Sequence, residues 1–499
     1  AATDAHNAVN NILAAKGYTV ESTNGKMTAD GNADLTYTWT EDALDTTTYA
    51  TSENGTAITN QLSSADPNLY DGVEETVTWL SRSDWNGTLP TETVKLALTE
   101  LLKKDLKDIR YDPADYESVD MPTLGAKNGV KLYDMIGLDY NDPKWDELLD
   151  QMTFDEMNSL IGDAFHWTMP VKSVEAPGTR DENGPQGLTA SLLGNDKSQL
   201  TATAFTSEDV MAATFNTEIM TEIGKVIGNN CLEADIACLY GPGNNIHRTP
   251  YGGRNFEYYS EDGFLSGMMS AYEVKAIQDK GVHVVMKHFA LNDCEQDRIG
   301  LGVWLNEQAA REVYLKAFQA PVEVGNGNGA HVLGVMTAYN RVGITQDNAH
   351  TGLMKNILRN EWGCEGMVIT DNVLTQYVNG PDGVLAGVSI YDAMMSFVTD
   401  TLPKYKNDPV IVTAMREACH HNLYAIANSC GMNGVGADTT IKVTRPTVVT
   451  MSIIIACAST FFCLLGIVMW IIGGIKFRKT EEYKAYKDFK KSLKAAKKA

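Results

Sequence analysis

A chain of 499 residues with 43% hydrophobic content has room for two or three domains and a sizeable core. Its formal charge of −23 argues against a nucleic-acid backbone as partner. Residues 476–499 hold ten Lys/Arg against three Asp/Glu, a net of +7, which leaves −30 on residues 1–475. None of the eight cysteines sits in a CxxC pair or beside histidines at metal-ligand spacing, so neither metal nor cofactor is expected.

Residues 1–70 are rich in Thr, Asn, Asp and Ser. "HNAVNNILAAKGY" predicts a short opening helix closed by a glycine, followed mostly by loop with a few strands. "ETVTWLSRSDWNG" predicts a strand entering a turn, and "TETVKLALTELLKKDLKDI" has helical apolar spacing. These pieces do not make a self-sufficient domain. From about Asp139 the texture changes. "TFDEMNSLIG" opens on a capping box, Thr153 with Glu156, and stops at Gly162. The apolar runs "IACLY", "VHVVM", "VLGVMTA" and "MVIT" then alternate with helical patterns such as "SGMMSAYEVKAIQDK", closed by Gly281, and "TGLMKNILRNEW", closed by Gly363. That alternation predicts parallel βαβ units, in either a (β/α)8-type barrel or a doubly wound sheet. No GxGxxG or P-loop follows any of the strands, which weakens a nucleotide-binding reading.

Between Pro446 and Ile475 no residue is charged, and Lys476, Arg478 and Lys479 follow at once. The run 447–475 exceeds the ~20 residues that cross a bilayer. It predicts a membrane span with the basic 476–499 tail in the cytoplasm and the acidic bulk outside the cell. The chain opens on Ala1 and shows no signal sequence, so the expectation is a processed start or a fragment of a longer protein.

Polar residues follow each predicted strand directly. After Tyr240 comes "GPGNNIHRTPYGGRNFE"; after Met286, Lys287 and His288; after Ala338, Tyr339 and Asn340; after Thr370, Asp371. In a parallel barrel such strand ends converge on one mouth, where the loops build the site. An Arg, a Lys, a His, a Tyr and an Asp around one mouth suit a polyhydroxylated ligand. Glycoside cleavage needs two carboxyl groups, and Asp371, held by a buried strand, is the natural candidate for one of them.

"GPGNNIHRTPYGGRNFEYYSED", "VVMKHFALNDCEQDR", "VMTAYNRVG", "GMVITDN" and the upstream "DENGPQGL" resemble the barrel domain of glycoside hydrolase family 3, the β-glucosidase group. The likeness runs from about Leu149 to Asn372, with five motifs in the family's order. It implies an α/β fold, specifically a (β/α)8 TIM-type barrel, to which the residue patterns add an irregular N-terminal segment and a C-terminal transmembrane helix. By the same resemblance Asp371 would be the nucleophile of a retaining mechanism, and Arg254, Lys287 and His288 would hold sugar hydroxyls. Glu257 would hold Arg254, Tyr339 would lie beside the nucleophile, and Arg298 is a ligand contact or a structural ion pair. His247 is expected to stabilise a loop.

Three departures from the family's pattern stand out. Asn183 replaces the aspartate of the Asp-Gly-Pro segment, which would lower sugar affinity unless Asp181 compensates. Asn372 follows the nucleophile where many members carry Trp. The family's acid/base Glu usually sits on a second domain, whereas this barrel is followed by a short linker and the apolar run. Members with the second domain first imply that the acid lies upstream of Ala1. The expected organisation is therefore 1–138 as remnant or linker of an upstream domain, 139–432 as barrel, 433–446 as linker, 447–475 as span and 476–499 as tail.

The resemblance implies an exo-β-glycosidase, a β-glucosidase ahead of a β-xylosidase, acting on a β-glucoside or oligosaccharide, and the 447–475 run places it at the cell membrane. A non-hydrolytic sugar-binding relic is the alternative class. The hexosaminidase branch is disfavoured because "KHFALND" lacks that branch's loop histidine.

Overall fold

In the computed structural model the apolar runs of the second half become strands of one sheet. Residues 19–23, 26–30, 50–74, 76–80, 97, 99–106, 110–189, 202–323, 330–373, 377–393, 401–443 and 447–497 are described. The strands are β1 (Thr19–Thr23), β2 (Lys26–Asp30), β3 (Trp167–Thr168), β4 (Thr179–Asn183), β5 (Cys238–Gly243), β6 (His283–Phe289), β7 (Gly302–Val303), β8 (Gly334–Thr337), β9 (Arg341–Val342), β10 (Thr345–Gln346) and β11 (Met367–Ile369). A six-stranded sheet has the order β11-β8-β6-β5-β4-β3. Its members β4, β5, β6, β8 and β11 run parallel, and β3 pairs antiparallel with β4. β1 and β2 form an antiparallel pair of their own, and β10-β9-β7 a small separate sheet.

The large sheet closes on itself through irregular chain. Ile369 bridges Ile390 in parallel fashion. The Tyr391 and Ala393 N–H groups donate to the carbonyls of Ile161 and Ala164, both at 2.7 Å. The Asp181 N–H completes the ring by donating to the His166 carbonyl at 3.1 Å. The architecture is thus α/β and barrel-like, as expected. The strict eightfold count is not met among the described residues. Five regular parallel strands are joined by the stretches 161–168 and 390–393, and β3 runs against its neighbour.

Every residue of β5 and β6 is buried, which explains why these strands read as unbroken apolar runs. Helices pack around the ring: Thr217–Glu233 lies against Gly263–Gln278, Gly263–Gln278 against β6, and Pro409–Ala427 against β11. The first two pack at glycine: a Cβ on Gly224 would lie 2.5 Å from the Glu273 carbonyl oxygen. The helix expected from Ser266 starts at Gly263, because the Asp262 carboxylate accepts from the Phe264 and Leu265 N–H groups. The capping box of Phe154–Gly162 forms with both halves present.

The expected opening helix lies outside the described residues. The expected strand at "ETVTW" is not formed over 76–80. Val77 is instead held by the side chain of Asn68, which accepts from its N–H and donates to its carbonyl. The later helix is present as Glu100–Asp105, capped by Thr99. Irregular chain over 50–74 and 110–138 straps the barrel, and Leu62, Ala65, Tyr111, Val130, Leu132 and Met135 share its core. Barrel carboxylates satisfy the strap's backbone. Glu307 accepts from the Gln61 and Leu62 N–H groups, and Asp382 from those of Arg110 and Tyr111. The 433–443 stretch is tied back by Ile441 N–H to the Glu175 carboxylate and by the Lys131 ammonium to the Ala437 carbonyl.

The uncharged run forms one helix, Thr447–Phe477, of 31 residues. Its Thr450–Phe477 portion is long and apolar enough to cross a membrane and is exposed along its length. A second helix, Glu481–Ala496, follows a short turn. All eight cysteines are free thiols.

Candidate active site

Strand direction gathers the polar residues at one end of the barrel. Asn183 closes β4, and Lys287 and His288 are among the last residues of β6. Tyr339 follows β8 and Asp371 follows β11. Arg254 arrives on the loop after β5, which returns to the barrel where Gly243 bridges Tyr258. Gly253 on that loop has φ +79°, and a Cβ there would meet the Glu295 side chain at 2.9 Å. The glycine pair thus provides both a left-handed turn and close approach.

Asp371 is fixed by its surroundings. Its Oδ1 accepts from the Asn372 N–H at 2.7 Å, and its carbonyl accepts from the Tyr377 hydroxyl at 2.6 Å. Its Oδ2 lies 3.6 Å from His288 Nε2. Burial pushes the carboxyl above its ordinary value, while Arg254, the Asn372 N–H, Arg298 and Lys287 pull it back. Burial, then Arg254, Lys287 and Arg298, push the His288 imidazole well below the usual histidine range. A neutral His288 makes no ion pair with Asp371. Arg254 Nη1 donates to His288 Nε2 at 3.1 Å, so the ring proton belongs on Nδ1, which faces the Tyr258 hydroxyl at 3.4 Å.

The arginines are braced by carboxylates. Arg254 Nη1 lies 3.3 Å from Glu257, the partner expected from sequence, and its Nε lies 2.8 Å from Glu295 Oε1. Glu295 Oε2 also holds Arg298 at 3.0 Å, and its Oε1 accepts from Asn292 at 2.9 Å. Burial opposes the Arg254 charge, but Tyr258, Glu295, Glu257 and Asp371 together hold the guanidinium above its ordinary value. Its Nη2 is buried with no hydrogen-bond partner among the described residues. The Arg298 guanidinium stacks over the Tyr339 ring, 4.3 Å from the centroid. Tyr339 donates to the Asn372 carbonyl at 2.5 Å, and its ring lies 4.7 Å from that of Tyr377.

Lys287 Nζ donates to Asn183 Oδ1 at 3.3 Å, and burial lowers the lysine below its ordinary value. All seven residues singled out from sequence therefore lie at this mouth. Arg254, Lys287, His288 and Asp371 form its floor, Tyr339 and Arg298 one wall, and Asn183 meets Lys287. Asp181 offers no compensation for Asn183. It is fully buried in the barrel interior, bonded to the Tyr240 and Thr179 hydroxyls, and raised to about 7, chiefly by burial. His247 faces the Tyr258 carbonyl at 2.8 Å and braces the loop.

Sequence reasoning missed Glu295, Tyr258, Tyr377 and Asp392. Glu295 carried a signal, since it stands three residues before Arg298 in a motif already quoted. Asp392 carried none; it reaches the site's underside by accepting from the His166 N–H. Chemically, Glu257 and Glu295 are tied up as counter-ions to arginine, which leaves Asp371 as the carboxylate among the described residues of the mouth that is flanked by donors without such a pairing. Among the described residues no cluster of His, Cys, Asp and Glu has the geometry to hold a metal ion.

Residues 189–384 match the family model described as the glycosyl hydrolase family 3 N terminal domain. The match contains every site residue named above except Asn183 and Asp181, which just precede it, and Asp392, which just follows it. Beta-glucosidase B of Emericella nidulans is 34% identical over 227 residues, 45% of this chain and 26% of that protein. An exo-alpha-(1->6)-L-arabinopyranosidase of Bifidobacterium breve is 35% identical over 227 residues, 44% of this chain and 29% of that protein. The matched region thus spans less than a third of these relatives' own length. Beta-glucosidase 3B from Thermotoga neapolitana, solved in complex with glucose, superposes with a TM-score of 0.53 at 29% identity, covering 60% of this chain and 44% of that one. Together the motifs, the closed α/β ring and these likenesses establish that the chain carries a domain of glycoside hydrolase family 3, of the β-glucosidase-like kind.

Proposed function

We propose that this chain is the nucleophile-bearing part of a membrane-anchored retaining exo-β-glycosidase, acting foremost on terminal β-glucosyl residues. The observation that carries the reading is Asp371: a strand-end carboxylate fixed by a backbone N–H, beside neutral His288, within a shell of arginine and lysine donors. Its oxygen attacks the anomeric carbon as the glycosidic C–O bond breaks, giving a glycosyl-enzyme that water later hydrolyses. Arg254 Nη2, Lys287 Nζ and His288 are suited to grip hydroxyls of the bound sugar. Tyr339, stacked under Arg298, forms a wall beside the nucleophile.

Glu257 and Glu295 both serve as counter-ions to arginine, so neither is nominated as the general acid. The division into 1–138, 139–432, 433–446, 447–475 and 476–499 remains our reading of the organisation. Residues 447–475 would span the bilayer, the barrel would face the outside and the basic tail the cytoplasm. The exposed apolar helix supports the anchor, and the positive flank supports the orientation.

The test is covalent trapping. A 2-deoxy-2-fluoroglucoside with an activated leaving group should leave its sugar on the peptide containing Asp371, read by mass. Attachment to another carboxylate would overturn the assignment. The named activity of the Bifidobacterium relative keeps pentosides in range, so β-xyloside and α-L-arabinopyranoside belong in the substrate panel. Asn183, occupied by Lys287, favours the sugar-binding reading. Glucose binding without trapping would select it.

A further inference from the structure

The join between the last two helices is built by specific contacts. Thr480 donates its hydroxyl proton to the Phe477 carbonyl at 2.7 Å and accepts from the Tyr483 N–H at 3.3 Å. The Tyr483 ring packs against Phe477 with centroids 5.6 Å apart. A second helix, Glu481–Ala496, therefore starts at a capped corner immediately beyond the apolar helix.

That second helix is two-faced. At 3.6 residues per turn, Lys484, Lys487, Lys490, Lys491 and Lys494 gather on one side. Tyr486, Phe489 and Leu493 gather on the other, and they are 53%, 61% and 46% exposed. Lys484 is paired with Glu481 at 2.6 Å, and Lys490 Nζ lies over the Tyr486 ring at 5.6 Å. A row of apolar side chains beside an apolar span, backed by a row of lysines, fits the boundary between acyl chains and headgroups. Charge complementarity makes that boundary anionic.

We propose that Glu481–Ala496 lies flat on the leaflet where the 447–477 helix emerges. Tyr486, Phe489 and Leu493 enter the acyl boundary, and Lys487, Lys490, Lys491 and Lys494 bind anionic phospholipid headgroups. The proposal rests on the anchor reading given under Proposed function. Its consequence is an electrostatic footing that holds the chain at negatively charged membrane surfaces and weakens with salt.

The experiment uses the full chain reconstituted in vesicles of phosphatidylcholine alone or of phosphatidylcholine with phosphatidylserine. Flotation with the neutral vesicles tests the anchor; amide hydrogen exchange over 481–496 tests the helix. Protection should be greater on the phosphatidylserine vesicles. Each lysine changed to glutamine should lower that protection about fivefold, so Lys487→Gln with Lys491→Gln should lose about 25-fold. Phe489→Ser should reduce protection on both vesicle types, and raised salt only on the anionic ones. A chain that floats but shows equal protection on both vesicle types overturns this proposal alone. A chain that fails to float with neutral vesicles overturns the anchor as well.

Discussion

Glu295→Ala removes a single carboxylate that braces both arginines of the mouth. Glu295 lies 2.8 Å from Arg254 Nε and 3.0 Å from Arg298 Nη1, and the side chains are 24%, 19% and 29% exposed, respectively. Both contacts are close ion pairs without hydrogen-bond geometry, so attraction between partly buried charges carries them. Partial exposure limits each pair to about 1 kcal/mol, or about 2 kcal/mol for the two. At ~1.4 kcal/mol per factor of ten, misplacing both arginines should slow the trapping of Asp371 by about 30-fold. Glu295→Gln keeps an acceptor oxygen and should lose less. The assay is the rate of mass increase on the Asp371 peptide with the activated fluorosugar, which needs no general acid. Saturation should move to higher reagent concentration, because Arg254 contributes to holding the sugar. Unchanged trapping and unchanged saturation in Glu295→Ala would refute the bracing role. A fall in thermal stability alone would reduce Glu295 to a structural ion pair.

Asp371→Asn should abolish trapping yet leave the fold as stable or more so at neutral pH, since burial raises the acid's pKa and an amide mimics its neutral form; a thermal melt alongside the mass assay checks both. Burial raises Asp392 to about 7 in the folded protein. The folded state therefore binds the proton more tightly than the unfolded one, and stability from this group is lost as pH rises through about 7. The stability of Asp392→Asn relative to the parent should accordingly rise between pH 5 and pH 8 in urea titrations, and a difference independent of pH would contradict the assignment. Gly224→Ala would place a methyl 2.5 Å from the Glu273 carbonyl oxygen and 2.8 Å from the Ala276 Cβ. Overpacking there should cost about 1–3 kcal/mol, seen as a lower urea midpoint.

Local patterns were enough for much of the site. Lys287, His288, Tyr339 and Asp371 each stand at the end of an apolar run, and parallel strands bring such ends to one mouth whatever the detailed closure. Arg254 and Glu257 are three residues apart, so their contact is also local. The apolar helix and the basic helix beyond it were likewise legible, because charge depletion and its sudden end are properties of consecutive residues. Glu295 was not legible as the link between Arg254 and Arg298, since that depends on two loops from different strands meeting. Nor was the pairing of Asp392 with the His166 N–H, which spans 226 positions. The irregular straps over 50–74 and 110–138 offered no periodicity because their backbone partners include Glu307 and Asp382 on the barrel. The sequence by itself determined which residues line one end of a closed α/β ring, because periodicity reports burial along an element. Only the tertiary structure decided how the ring closes and which carboxylates are tied up as counter-ions, because these depend on distances and desolvation between segments remote in sequence.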